Sequence, residues 1–197
     1  AAPRGWLAWG RPAHSSGGSE GHAAHALCAM LRAASTPMVG CAASYSDRVR
    51  AIALVGTTSP MPVSDAILNA AEADDHAAFD MLTQWGFSKR HQFGGNRNSG
   101  IWMIGNTLRL YERSGPGVLF HDMRACNEYA SGTDQASKVT CPALLILGAE
   151  DRLTPVRSTR ALQEAIPSPV VEVLPGAGHT IMVEAPNAML DALHKVL

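Results

Sequence analysis

The 197-residue chain has no apolar run near the roughly 20 residues that a membrane-spanning helix needs. It has no strong charge of either sign: a net charge of −1 gives no electrostatic reason to bind nucleic acid or an anionic membrane. Its four cysteines, Cys28, Cys41, Cys126 and Cys141, have neither close pairing nor metal-ligand spacing, so reduced thiols in a cytoplasmic protein are expected, with Cys41 a small buried thiol. The eight histidines include no His-Glu-x-x-His helix; His22 and His25 read as a solvated helix face rather than a metal site. The first residue is alanine and no secretory pattern follows it, so the expectation is a fragment that begins in mid-pattern. What remains, with 46% apolar and 17% charged residues, is an ordinary globular composition. Its length suits one domain, with room for an insertion.

The informative stretch runs from Val139 to His179. Ala143 to Leu147 is unbroken apolar sequence closed by Gly148, which suits a strand buried on both faces. Asp151 follows in a short loop. Pro155 sits where a helix can start, because the first turn has no use for its missing amide proton. Val156, Leu162, Ala165 and Ile166 supply that helix with an apolar stripe. Val170 to Leu174 is a second strand, running into Pro175-Gly176-Ala177-Gly178 and then His179. Strand, helix and strand in this order form a right-handed parallel unit. Asp151 and His179 then both leave the carboxyl ends of neighbouring strands, where open parallel sheets gather their chemistry. Chemically the two suit an orienting carboxylate and a general base: the acid holds the imidazole in one tautomer and stabilises the imidazolium. The plainer reading makes Asp151 a helix cap and His179 a loop residue.

Leu145 to Pro155 and Leu174 to His179 resemble the C-terminal third of an alpha/beta hydrolase of the kind with a helical lid, and the resemblance runs from about Ser46 to Leu197. It implies an α/β fold, here a partial parallel sheet with flanking helices and an inserted helical lid. It divides the chain into an incomplete N-terminal core at 1–60, a lid at 61–137 and the rest of the core at 138–197. It also implies Asp151 as acid, His179 as base and a nucleophile earlier in the chain, since the order is nucleophile, acid, histidine. The reaction implied is hydrolysis of an ester or related acyl bond in a small-molecule substrate, with no cofactor and no metal.

Two readings compete for the nucleophile. In one, Ala13-His14-Ser15-Ser16-Gly17 is a nucleophile elbow, with alanine for the first glycine and Ser15 attacking. In the other, Trp6–Trp9, Pro12 and His14 match an earlier strand and loop of the family, and Ser15 carries no chemistry. Spacing favours the second. His22 to Ala34 reads as a helix, Pro37-Met38-Val39-Gly40 as the strand that enters the elbow, and Asp47 to Gly56 as the next strand. Only eight residues, Cys41 to Arg48, then separate Gly40 from Val49, whereas a parallel crossover with its helix needs at least about 10–12. The expectation is therefore that the elbow and most of its helix are absent. The family's early His-Gly loop, which helps form the oxyanion hole, has no match either. Such a sheet would have an internal gap and open edges through which chains could self-associate. The alternative function is a catalytically inactive relic with a ligand-binding or assembly role.

Between Thr57 and Lys138 the alternation stops and four helices are expected: one capped by Ser64, one capped by Asp74 with Ala78, Leu82 and Trp85 on its apolar face, then Ile101–Tyr111 and Val118–Tyr129, with a loop over 86–100. Trp85, Trp102, Met103 and Phe120 are candidates to line the pocket beneath them. A last helix from Pro186 should bury Met189, Leu190, Leu193 and Leu197.

Overall fold

The computed structural model describes residues 35–96 and 100–196. The segments around Trp6–Trp9, Ser15 and His22–Ala34, with Cys28, lie outside the described residues, as does Leu197. Among the described residues the frame is a three-stranded parallel sheet in the order β1 (Ile52–Val55), β2 (Ala143–Gly148), β3 (Val170–Leu174). Leu54 faces Leu145 across one ladder and Val171 faces Leu145 across the other, so all three carboxyl ends lie at one edge of the sheet.

The central strand is apolar throughout because both its faces are covered. Leu145 and Leu147 point into a cluster with Val39, Leu54, Val139 and Leu162. Leu144 and Ile146 point the other way, into a cluster with Val55, Ile181, Met189 and Leu193. All four are at most 1% exposed, and burying each contributes about 1.5–3 kcal/mol relative to leaving it in water. Such a run is what a strand covered on both faces requires.

The first described element corrects the sequence reading. Ser35–Ser44 is an α-helix, α1, not the strand expected over Pro37–Gly40. Pro37 lies in its first turn, where the missing N–H satisfies nothing. Gly40 is tolerated because Val39 and Ala42 bury against β1 and the sheet, and tertiary packing outweighs the roughly 1 kcal/mol glycine penalty. Cys41, expected to be buried, is exposed on the outer face of this helix. The chain then turns at Tyr45–Arg48, and the extended segment begins at Ile52 rather than Asp47. Because α1 is already the helix that leads into β1, the eight-residue gap does not argue that a crossover helix is missing.

Among the described residues six helices lie between β1 and β2, where four were expected. These are α2 (Asp65–Glu72), α3 (Ala77–Gly86), α4 (Lys89–Gln92), α5 (Met103–Glu112), α6 (Val118–Glu128) and α7 (Gly132–Ala136). The two additions, α4 and α7, are single turns too short for an amphipathic period to register. Ser64 caps α2 as expected, accepting from the Ile67 N–H. Asp74 does not cap α3: it adopts positive φ and accepts the Gly117 N–H at the start of α6, and Asp75 accepts from Ala77 instead. These helices have their own small core around Ile67, Leu82 and Met123, and Leu153 from the loop after β2 packs into it.

After β2, a 3-10 turn (Val156–Thr159) and α8 (Arg160–Ala165) return the chain to β3. Then follow α9 (Ile181–Glu184) and α10 (Pro186–Leu193). In α10 Met189, Ala192 and Leu193 are buried, but Leu190 is 52% exposed. The expected stripe was right at Met189 and Leu193 and wrong at Leu190, where the smaller Ala192 takes the inward position. Among the described residues no helix is long and apolar enough to cross a membrane, and no cluster of side chains could hold a metal ion.

Candidate active site

At the carboxyl edge of the sheet three loops converge. Gly56 ends β1 with φ +56°. The loop after β2 carries Asp151, and the loop after β3 carries His179. The Ala149 N–H donates to Leu174 O at 3.0 Å and the Glu150 N–H to Ala177 O at 2.9 Å, which ties the two loops side by side. Gly148 is small for the same reason: a Cβ there would collide with the carbonyl oxygens of Ala177 and Gly178.

Asp151 and His179 meet as the sequence suggested. His179 Nδ1 lies 2.8 Å from Asp151 Oδ2, and both side chains are nearly inaccessible, at 6% and 1% exposure. The other carboxylate oxygen, Oδ1, accepts the N–H groups of Leu153 and Thr154 at 2.8 and 2.9 Å. The plainer capping reading fails, because the 3-10 turn that follows has Pro155 at its N-cap and no side-chain cap bond; Oδ1 instead pins the Asp151–Thr154 loop, while Oδ2 faces the imidazole. Burial alone would push the Asp151 carboxyl up; the hydrogen bond and charge of His179, with the two Thr154 bonds, outweigh it and hold the carboxyl below its ordinary range.

Thr154 closes the arrangement. Its hydroxyl lies 2.7 Å from Asp151 Oδ2, 3.1 Å from His179 Nδ1 and 2.9 Å from Gly56 O. Having one proton to give, it donates to one of the two oxygens and accepts from the imidazole. Sequence reasoning passed over Thr154 and Gly56; the run Asp151-Arg152-Leu153-Thr154-Pro155, an acid and a hydroxyl three apart ahead of a proline, was the available signal.

His179 is also held from its backbone. The carbonyl of Gly86, the last residue of α3, accepts both the His179 N–H at 2.7 Å and the Thr180 N–H at 3.2 Å. Glu184, with a side chain at 0% exposure, accepts the N–H groups of Gly178, Thr180 and Ser88. Its Oε2 also lies 2.8 Å from Nδ1 of the buried His91. This second acid–imidazole pair joins residues 93 apart in sequence, so no local spacing announces it. The single hint is a lone acid inside the apolar run Ile181 to Pro186.

Two cavities open beside His179. One, of about 170 Å³, lies among Met61, Ile67, Trp85, Leu153 and Thr154. The other, of about 250 Å³, lies among Thr107, Tyr111, Leu119, Asp122 and Met182. Leu82 and Met123 border both. Burial pushes the Asp122 carboxyl up, partly offset by His121. Of the four pocket candidates only Trp85 lines either cavity. Met103 is buried elsewhere, Trp102 is 65% exposed and lies over Gly105, and Phe120 lies under the guanidinium of Arg124. Helical spacing identifies an apolar side chain but not which neighbour it faces. Ser15 lies outside the described residues.

The pattern of the alpha/beta hydrolase family matches residues 13–192, nearly the whole chain. The chain belongs to the alpha/beta hydrolase family. It is 30% identical over 162 residues to the pimeloyl-(acyl-carrier protein) methyl ester esterase of Chromobacterium violaceum, a match covering 77% of the chain and 62% of the esterase. Among solved structures it resembles a thermophilic esterase with a TM-score of 0.63 and 26% identity, covering 77% of this chain and 57% of that one. It also resembles the enol-lactonase of Burkholderia xenovorans LB400 with a TM-score of 0.70 and 18% identity, covering 84% and 63%. At that identity the second likeness is one of fold. The chain therefore spans about three-fifths of the length of each of these relatives.

Proposed function

We propose that this hydrolase cleaves an ester or related acyl bond of a small molecule through a covalent acyl-enzyme, with His179 as general base, Asp151 as its orienting acid and Ser15 as nucleophile. The observation that carries the reading is the buried 2.8 Å contact between His179 Nδ1 and Asp151 Oδ2. It turns Nε2 into the nitrogen that can take a proton, beside two cavities that His179 helps to line.

In the proposed reaction Ser15 Oγ attacks the acyl carbon and passes its proton to His179 Nε2. Asp151 stabilises the imidazolium, which then protonates the leaving group, and water releases the acyl group by the same route. Support for Ser15 comes from two directions. The family match begins at residue 13 and so takes in Ala13-His14-Ser15-Ser16-Gly17. The helical state of Ser35–Ser44 also removes the spacing objection, because the strand expected over Pro37–Gly40 is not there. Residues 61–137 would act as a lid over the core segments 1–60 and 138–197. Closing water out strengthens the electrostatics beneath it; α3 supports this role, since it contributes Leu82 and Trp85 to the cavities and Gly86 to the His179 loop.

Labelling with a fluorophosphonate followed by peptide mapping tests the assignment. An adduct on Ser15 that disappears in His179→Ala is the expected result. Absence of any adduct on the folded protein would sink the enzymatic reading in favour of an inactive relic.

A further inference from the structure

Glu184 sits where the His179 loop meets the end of α3. Each of its oxygens is committed. Oε1 accepts from Gly178 N at 3.0 Å and Thr180 N at 3.2 Å, the two amides flanking His179. Oε2 accepts from Ser88 N at 3.0 Å and shares the Gly178 N–H at 3.0 Å. It is also 2.8 Å from His91 Nδ1, which lies 2.8 Å from Ser88 Oγ as well. A fully enclosed carboxylate is tolerable only when so many donors converge on it. The backbone has been brought unusually close to make this possible: a Cβ on Gly178 would stand 2.6 Å from Ser88 N, 2.8 Å from Gly86 O and 2.9 Å from Glu184 Oε1.

We propose that Glu184 is a positioning residue for His179: it clamps the backbone on both sides of the imidazole to the Gly86–Ser88 turn, with His91 bracing its far oxygen. Among the described residues the Gly178 N–H donates to Glu184 alone, while Thr180 has the Gly86 carbonyl as a second acceptor. Without the carboxylate the amides of Gly178 and Ser88 lose their acceptor, a loss that buried donors do not absorb quietly. The loop would then relax, and the imidazole with it, away from Asp151 Oδ2. Asp151 sets the tautomer of His179; Glu184 sets its place. The inference rests on the reading of His179 as the base, but it can be measured without turnover.

The experiment uses the full chain. The low-field resonance of the His179 Nδ1 proton, assigned by its loss in His179→Ala, is followed together with hydrolysis of p-nitrophenyl butyrate. Glu184→Ala should broaden or lose the resonance and lower kcat about 10- to 100-fold, as displacement of a reacting group by about 1 Å does, with KM held within about twofold because no substrate contact is removed. Glu184→Gln keeps one carbonyl oxygen for Gly178 and Thr180 but turns an amide N–H toward Ser88. It should retain a weakened resonance and lie between the alanine variant and the parent in kcat. Val139→Ala, buried against the opposite face of the sheet, supplies a variant of lowered stability with an untouched site, and its resonance and kcat should match the parent's. If Glu184→Ala does not fold, the glutamine variant decides. A folded Glu184 variant whose resonance and kcat match those of Val139→Ala would overturn the proposal. If the parent itself shows no turnover, the functional reading fails, and the resonance alone still judges Glu184.

Discussion

Replacing Gly56 by alanine should damage the site from behind. The residue has φ +56°, and its added Cβ would stand 3.2 Å from His179 Nδ1 and 3.3 Å from both Cε1 and the His179 carbonyl oxygen. Two penalties then combine. A left-handed conformation costs a residue with a side chain about 1–2 kcal/mol. For a protein of this size each kcal/mol lowers the melting temperature by about 2–4 °C, so strain alone predicts a fall of about 2–8 °C. The second penalty is crowding. The methyl group needs a few tenths of an ångström more room, and the imidazole cannot yield freely because Nδ1 is held by Asp151 and Thr154. If about 1 Å of misplacement costs about 100-fold in rate, a shift of about 0.3–0.5 Å costs about four- to tenfold. Gly117→Ala separates the two penalties. Gly117 has φ +73°, and its nearest neighbour would be 3.9 Å away, so that variant bears the backbone strain without touching the site. Differential scanning fluorimetry and p-nitrophenyl ester hydrolysis on both variants make the measurement. Equal stability losses with equal, unchanged activities would refute the idea that Gly56 is small to make room for His179.

Asp151→Asn should leave a folded protein whose hydrolytic rate is lower by about 10⁴-fold, the loss expected when an amide stabilises the wrong imidazole tautomer; near-parental rates measured on the purified variant would contradict the role given to Asp151. Because the Asp151 carboxyl is held below its ordinary value, its contribution to stability is complete above the unfolded value of about 3.9 and is lost as pH falls through the lower folded value. Urea titrations from pH 5 downward should show this acid loss in the parent and a shallower one in Asp151→Asn. Leu145→Ala, at 0% exposure in the central strand, should lose about 2–5 kcal/mol in denaturant titration, whereas Leu190→Ala, half exposed on α10, should change stability by no more than about 0.5 kcal/mol.

The legible parts of the chain were those where one physical demand acts on contiguous residues. β2 could be read because a strand buried on both faces needs an unbroken apolar run, and Asp151 and His179 followed because they sit directly after strand ends. The hidden parts depend on distant neighbours. Helix α1 contains a proline and a glycine and, among its described side chains, buries Val39 and Ala42, so its local signal pointed to a strand, and the packing of those two residues on β1 decided otherwise. With Ser35–Ser44 helical, the eight-residue spacing from Gly40 to Val49 no longer bears on whether an elbow stands at Ser15. The tie between Glu184 and His91 spans 93 positions, and neither α4 nor α7 is long enough to show a period. Between β1 and β2, spacing found the apolar residues but not their partners, which is why Trp85 was placed correctly and Trp102 was not.

The carbonyl of Gly86 has a consequence for selectivity. It is the last oxygen of α3 and it receives the amides of His179 and Thr180, while Leu82 and Trp85 on the same helix face the cavities. A guest too broad for that space would push the helix and, through one peptide group, drag the imidazole off its acid. Under the proposed reaction an oversized ester could still lodge in the cavities, yet it would disarm the proposed base, so discrimination by girth would be expressed in turnover and not in occupancy.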